Sequence, residues 1–250
     1  MIPVLETIGL QKRFGALVVA NGIDFRLEPQ GRHALIGPNG AGKTTFVNLI
    51  TGRIRPSSGR ILFNGTDITT LPQPDRVRRG LGRTFQINTL FKGLSVLENV
   101  CLARQEHTGV GGAMFKPAGA YKGITAHAYD LLERLGIADD ATLPVGKLPY
   151  GKQRLVEIAI ALALDPAVLV LDEPAAGIPA AESHIILDVI QELPVSVAVL
   201  IVEHDMDLVF RFARRVSVLV QGGILLEGTP AEIATDPRVR EVYLGNREDG

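Results

Sequence analysis

The stretch Gly37-Pro38-Asn39-Gly40-Ala41-Gly42-Lys43-Thr44, GPNGAGKT, decides the fold. It fits G-x-x-x-x-G-K-[ST] without a mismatch, with an apolar strand pattern (RHALIG, 32–37) running into it and a helical pattern (KTTFVNLIT, 43–51) leaving it. Glycines let backbone N–H groups turn inward around phosphate oxygens, and a helix N-terminus adds the positive end of its dipole. A turn that only connected strand to helix would not need a lysine and a threonine at those two places. Lys43 is therefore expected to reach the β- and γ-phosphates of a nucleoside triphosphate, and Thr44 to place its hydroxyl on Mg²⁺. Gly37, Pro38, Asn39, Gly40, Ala41, Gly42 and Thr45 complete the expected cradle.

Downstream, VLVLDEP (168–174) reads as a buried strand ending in an acidic pair. Asp172 would hold Mg²⁺ beside the phosphate loop, and Glu173 would polarise an attacking water as general base. Strand ends are commonly polar, so the pair gains its meaning from the loop upstream. Together they describe a chain that binds a nucleoside triphosphate and hydrolyses it.

Outward from these motifs the pattern is α/β. VLETIGL (4–10), LVVANGIDFRLE (17–28) and RHALIG read as strands, and a short strand pair surrounds RILFNGTDI (60–68). Residues 87–164 turn helical, with VLENVCLARQEH (96–107), ITAHAYDLLERLG (124–136) and the run after LPYGKQ (148–153); the Gly-rich 108–123 reads as a loop or insertion. Strands return at AVLVLDE (167–173) and VAVLIVEH (197–204), each preceded by a helix, which is the alternation of a parallel sheet. RVSVLVQGGILLEG (215–228) reads as a hairpin, and 230–245 as one terminal helix. Arg76, Arg78, Arg79 and Arg83 are expected to form a solvated face. Met114, Phe115 and Tyr121 read as local packing, and GVGGAM (109–114) lacks the spacing and preceding strand of a dinucleotide fingerprint.

Bulk properties narrow the class. In 250 residues, 26 basic and 27 acidic side chains leave a net charge of −1, without the basic excess of a nucleic-acid binder. A lone cysteine, Cys101, makes no internal disulfide and suits a reducing compartment. The N-terminus lacks the order of a signal peptide, and the longest apolar run, near 155–171, is broken by Asp165-Pro166. The expected location is the cytosol or the cytosolic side of a membrane.

Five more segments, in order, give a resemblance to the ATP-binding subunit of ABC transporters. KRFG supplies Phe14, either an adenine platform or cover for a sheet edge; RTFQ supplies Gln86. LPYGKQ stands where that family has its signature, AAGIPA (175–180) where it has the D-loop, and VEHD supplies His204, a strand cap or a switch histidine. The resemblance implies a P-loop NTPase core with a mostly parallel sheet, an antiparallel β subdomain and an inserted α-helical subdomain. One domain over 1–250 is expected, with 1–86 and 165–250 as the core and β region and 87–164 as the helical part. It also implies ATP and Mg²⁺ as ligands, with Gln86 joining Thr44 and Asp172 at the metal and Lys43, Gln86 and His204 joining Glu173 in catalysis.

In this family the signature's backbone amides face the γ-phosphate held by the opposite protomer, which assigns Tyr150, Gly151 and Gln153 to the other molecule's ATP. Here Pro149 replaces the usual serine, Tyr150 a glycine, and Pro179 the usual D-loop aspartate. Amide contacts survive those changes; the hydroxyl contact does not. The L-x-Y-G-x-Q-R signature, RTFQ, the Gly-rich insertion and the GTPAEI…DPRVREVYLG ending resemble the ATP-binding subunits of branched-chain amino-acid importers. That resemblance implies a second ATP-binding subunit (identical or different), transmembrane permease subunits and, indirectly, a periplasmic or extracellular solute-binding protein, with no nucleic acid. It places the chain peripherally on the cytoplasmic side of the inner or plasma membrane. Another transporter, such as a lipopolysaccharide exporter, a soluble ABC ATPase outside transport, and an ATP-holding module without useful hydrolysis stay open as alternatives.

Overall fold

A computed structural model describes residues 2–84, 90–109, 122–178 and 180–244, with backbone only at 180–184, 243 and 244. In chain order the elements are β1 (Leu5–Phe14), β2 (Leu17–Leu27), β3 (Arg32–Ile36), α1 (Lys43–Ile50), β4 (Ser58–Phe63), β5 (Thr66–Asp67), α2 (Gln73–Arg78), β6 (Leu81–Arg83), α3 (Val96–His107), α4 (Lys122–Arg134), α5 (Tyr150–Leu162), β7 (Val168–Asp172), α6 (Ala180–Gln191), β8 (Ala198–Val202), α7 (Met206–Phe212), β9 (Arg215–Val220), β10 (Gly223–Gly228), α8 (Pro230–Thr235) and α9 (Pro237–Leu244). They gather into two compact units. The first takes the described residues up to Arg76, then Val170–Glu173 and those from Leu193 onward; the second takes Val77–Leu169 and Pro174–Glu192.

The first unit holds two sheets. One is antiparallel, in the order β2-β1-β4-β5. It buries Leu5, Leu10, Ile23, Phe25, Leu27 and Ile61. β1 runs four residues beyond its expected end because a bulge near Gly9, whose N–H donates to Asp24 Oδ1 at 2.7 Å, lets the strand resume as far as Phe14. The other sheet runs β10-β9-β3-β8-β7. β3 lies parallel to both β8 and β9, while β10 turns back antiparallel on β9. Every position of β3 and β8 is buried, as strands covered on both faces must be.

The expected single terminal helix is two. Asp236 takes an extended ψ of 124° ahead of Pro237, because a residue before proline is driven out of the α region. α8 opens instead with its own capping box, Thr229 to Glu232. The arginine face is also overturned. Arg78 and Arg79 are exposed and Arg83 is half-buried, but Arg76 is enclosed, at 1% exposure. Its Nη1 donates to the carbonyls of Leu49 and Ile50 (2.8 Å each), its Nε to Leu71 (2.9 Å) and its Nη2 to Thr69 (2.9 Å).

The second unit is mainly helical. Ser95 and Glu98 form a capping box at the start of α3. α5 buries Leu155, Val156, Ile158, Ala159, Ala161 and Leu162, nearly its whole circumference, which marks it as the central helix of this unit. β6 flanks the chain entering β7, where Gly80 O accepts from Ala167 N (2.9 Å) and Val168 N (3.0 Å). α2 and β6 have no counterpart in the sequence reading. The core of the Gly-rich insertion, 110–121, with Met114, Phe115 and Tyr121, lies outside the described residues.

Candidate nucleotide site

β3 delivers the phosphate loop from the middle of its sheet, and α1 carries it away with Gly42 at the N-cap. Two neighbours pinch the loop. A Cβ at Gly37 would stand 2.2 Å from Leu219 O, and one at Gly42 would stand 2.6 Å from Val19 O. Gly42 also has φ +104°, a conformation that L side chains rarely adopt. Gly222 N donates to Ala41 O (2.9 Å), and Gly222 O accepts from Asn21 N (2.8 Å), so β2 and the β9–β10 turn support the loop together.

Lys43 is buried, and its ammonium donates to Gly37 O (2.6 Å) and Pro38 O (3.0 Å). Burial pulls its pKa below the ordinary lysine value, opposed by the charges of Glu173 and then Asp172. The ammonium and both carboxylates are thus in electrostatic reach of one another. Thr44 is exposed and Thr45 half-buried in the first turn of α1, where backbone N–H groups have no partner within the helix.

Asp172 ends β7 half-buried, and Glu173 follows it exposed. Glu173 sits at φ +48°, a left-handed conformation costing about 1–2 kcal/mol for a residue with a side chain. Its N–H donates to Val202 O at 2.9 Å, tying it to the end of β8. His204 lies two residues past that strand with its side chain 64% exposed. Its backbone N–H donates to Glu203 Oε2 (3.1 Å), and Nδ1 is 3.7 Å from the same oxygen. Glu203 is enclosed, and the sequence reading missed it; a carboxylate directly after five apolar strand residues was the available signal. Phe14 closes β1 with its ring exposed and Lys12 Nζ 4.9 Å from the ring centroid. It pairs with Leu17, at the head of the strand whose Val19 touches the phosphate loop.

The structure therefore brings Lys43, Thr44, Thr45, Asp172, Glu173 and His204 into one unit with Phe14, and sets the signature-like segment in the other. There Pro149 is the N-cap of α5, without a side-chain cap bond. Gly151 is buried and Tyr150 is 45% exposed. Gln153 turns back, Nε2 donating to Leu148 O at 2.8 Å. Gln86 and Pro179 lie outside the described residues. No group of three or more potential metal-ligating side chains occurs among the described residues.

Comparison with known proteins identifies the family. The family model for ABC transporters matches residues 20–176, and a model described as branched-chain amino acid ATP-binding cassette transporter matches 224–249. The high-affinity branched-chain amino acid transport ATP-binding proteins BraF of Pseudomonas aeruginosa and LivG of Escherichia coli are each 38% identical to the chain, over 97% of it and 98% of the relative. Among solved structures, a nucleotide-free ATP-binding cassette from an ABC transporter superposes with a TM-score of 0.85 at 30% identity, covering 96% of this chain and 98% of that one. A cassette in its ADP conformation gives 0.86 at 29% identity, covering 98% and 100%. No helix among the described residues is long and apolar enough to cross a membrane. The chain belongs to the ABC transporter family, as one of its ATP-binding, ATP-hydrolysing cassettes.

Proposed function

We propose that the chain is the ATPase subunit of an importer of branched-chain amino acids. The observation that carries the catalytic half is the buried Lys43 ammonium, folded onto the phosphate loop within the field of Glu173 and Asp172. The solute class rests on the 38% identity to BraF and LivG along 97% of the chain.

In this reading Phe14 stacks on adenine and residues 37–45 hold the phosphates. Glu173 takes the proton of the attacking water, and His204 steadies the γ-phosphate. Hydroxyl, carboxylate and carboxamide oxygens are hard donors of the kind Mg²⁺ takes, so Thr44, Asp172 and Gln86 fit as its ligands. The ion would neutralise charge on the β- and γ-phosphates. One nucleotide-binding domain is proposed, with 1–86 and 165–250 as its core and 87–164 as its helical part. Tyr150 and Gly151 would offer their amides, together with Gln153, to ATP held by a second ATP-binding subunit. Permease subunits and a solute-binding protein would complete the transporter, with this chain on the cytoplasmic face.

The test pairs two measurements on the complex co-purified from membranes. Glu173→Gln should keep ATP binding while turnover falls more than about 100-fold, the scale of a lost general base. Leucine uptake into vesicles carrying the wild-type complex should require ATP; ATP-driven uptake of an unrelated solute instead would overturn the amino-acid assignment.

A further inference from the structure

The signature-like helix has a second buried feature that the proposed reaction does not use. Arg154 and Glu157 lie one turn apart on α5, their side chains 7% and 2% exposed, with Nη1 donating to Oε2 at 2.5 Å. Glu157 Oε1 is enclosed with no hydrogen-bond partner. Burial raises the Glu157 pKa to about 7, against the lowering pull of Arg154's hydrogen bond and charge. A buried pair with one carboxylate oxygen unsatisfied is costly, and apolar replacements of such pairs are often neutral or stabilising. Stability alone is therefore a weak reason for it to be there.

A further contact points to a role. Arg154 Nε donates to Pro174 O at 3.2 Å. Pro174 is the residue directly after Glu173. Tyr150, one turn earlier on the same face of α5, lays its ring against Gly177, where a Cβ would stand 3.4 Å from ring atoms. The start of α5 thus grips 174–177 at two points. Glu173 needs such a grip. It holds a left-handed φ of +48° ahead of a proline, which favours extended backbone. Strained conformers of this kind persist only where surrounding contacts over-determine them. Val202 O holds the peptide before Glu173, and Arg154 holds the peptide after Pro174, whose ring fixes the φ between them.

We infer that Arg154, braced by Glu157, is a positioning residue for ATP hydrolysis: by holding the Pro174 carbonyl it sets the backbone turn that aims Glu173. The inference rests on Glu173 being the general base.

The experiment uses the full chain in its membrane-derived complex, with the double variant Arg154→Met/Glu157→Leu, which swaps the pair for apolar side chains. The expected result is an unchanged melting temperature, a KM for ATP within twofold of wild type and a kcat at least tenfold lower. A purely structural pair predicts another pattern: kcat within twofold of wild type, or a fall in activity matched by a fall in melting temperature or a rise in KM. Either outcome overturns the inference. Should the double variant not fold, Glu157→Gln decides: a kcat at least threefold lower at unchanged KM supports positioning, and an unchanged kcat removes it. Glu173→Gln is assayed alongside. If that variant hydrolyses ATP at the wild-type rate, the base assignment falls and this inference with it; if it is inactive while the double variant is fully active, positioning alone falls.

Discussion

The Arg76 guanidinium closes the C-terminal end of the helix that follows the phosphate loop, donating to Leu49 O and, through the same nitrogen, to Ile50 O, both at 2.8 Å. The last carbonyls of a helix have no partner within it. Here an arginine satisfies two of them and gathers Thr69 and Leu71 as well. Burial lowers its pKa to about 10, partly offset by the charge of Asp67.

Arg76→Met should therefore destabilise the fold by about 2–4 kcal/mol, since two buried and two part-buried carbonyls lose a charged donor. Denaturant titration reads this directly. Arg76→Lys should fall between, because three ammonium donors cannot reproduce the planar fork. A loss below about 0.5 kcal/mol in the Met variant would show that water replaces the guanidinium freely.

Gly42→Ala should abolish ATP binding, because the new methyl meets Val19 O at 2.6 Å in a loop already at φ +104°. Gly40→Ala is the control. Its φ of +78° carries a backbone penalty of about 1 kcal/mol, but nothing stands within 4 Å of the added Cβ. Equilibrium binding of a fluorescent ATP analogue should separate the two. Equal affinities would mean that the β2 carbonyl yields.

Acid should expose His33. Burial first, then Arg215, lower its pKa to about 4, against the raising pull of Glu227, while Nε2 lies 2.8 Å from Ser217 Oγ. A depressed histidine favours the neutral ring in the fold. Its contribution of about 3 kcal/mol is thus complete above pH 6.5 and lost as pH falls through 6.5 toward 4. His33→Gln should flatten the pH dependence of stability across that window. An unchanged slope between pH 6.5 and 4 would exclude His33 as its source.

Glu157 has the opposite sign. Its raised pKa favours the protonated carboxyl in the fold, so its contribution is complete below pH 4.5 and lost as pH rises through about 7. Glu157→Gln should gain about 3 kcal/mol relative to wild type between pH 4.5 and 8 in paired unfolding curves. A constant difference over that range would show that the carboxylate stays ionised beside Arg154.

What the sequence made legible divides along a physical line. The phosphate loop is read from eight consecutive residues because its chemistry is local: glycines for backbone approach, then a lysine and a hydroxyl at the helix start. Asp172 and Glu173 follow from the same logic at the end of an apolar run. Arg76 is not legible, because its partners are main-chain carbonyls 26 and 27 residues away and any sequence supplies carbonyls. Arg154 and Glu157 look like an ordinary i, i+3 surface pair until the fold shows that α5 is buried nearly all round. The break at Asp236-Pro237 is legible, because proline's demand on the residue before it is visible without a structure.

The props behind the phosphate loop come from distant parts of the chain: Val19 and Asn21 on one side, Leu219 and Gly222 on the other. The grip on ATP is therefore a late event in the life of the molecule. A ribosome-bound nascent chain halted before residue 215 would already contain every loop glycine and Lys43, yet should fail to retain nucleotide, because the hairpin that seats the loop has not been synthesised.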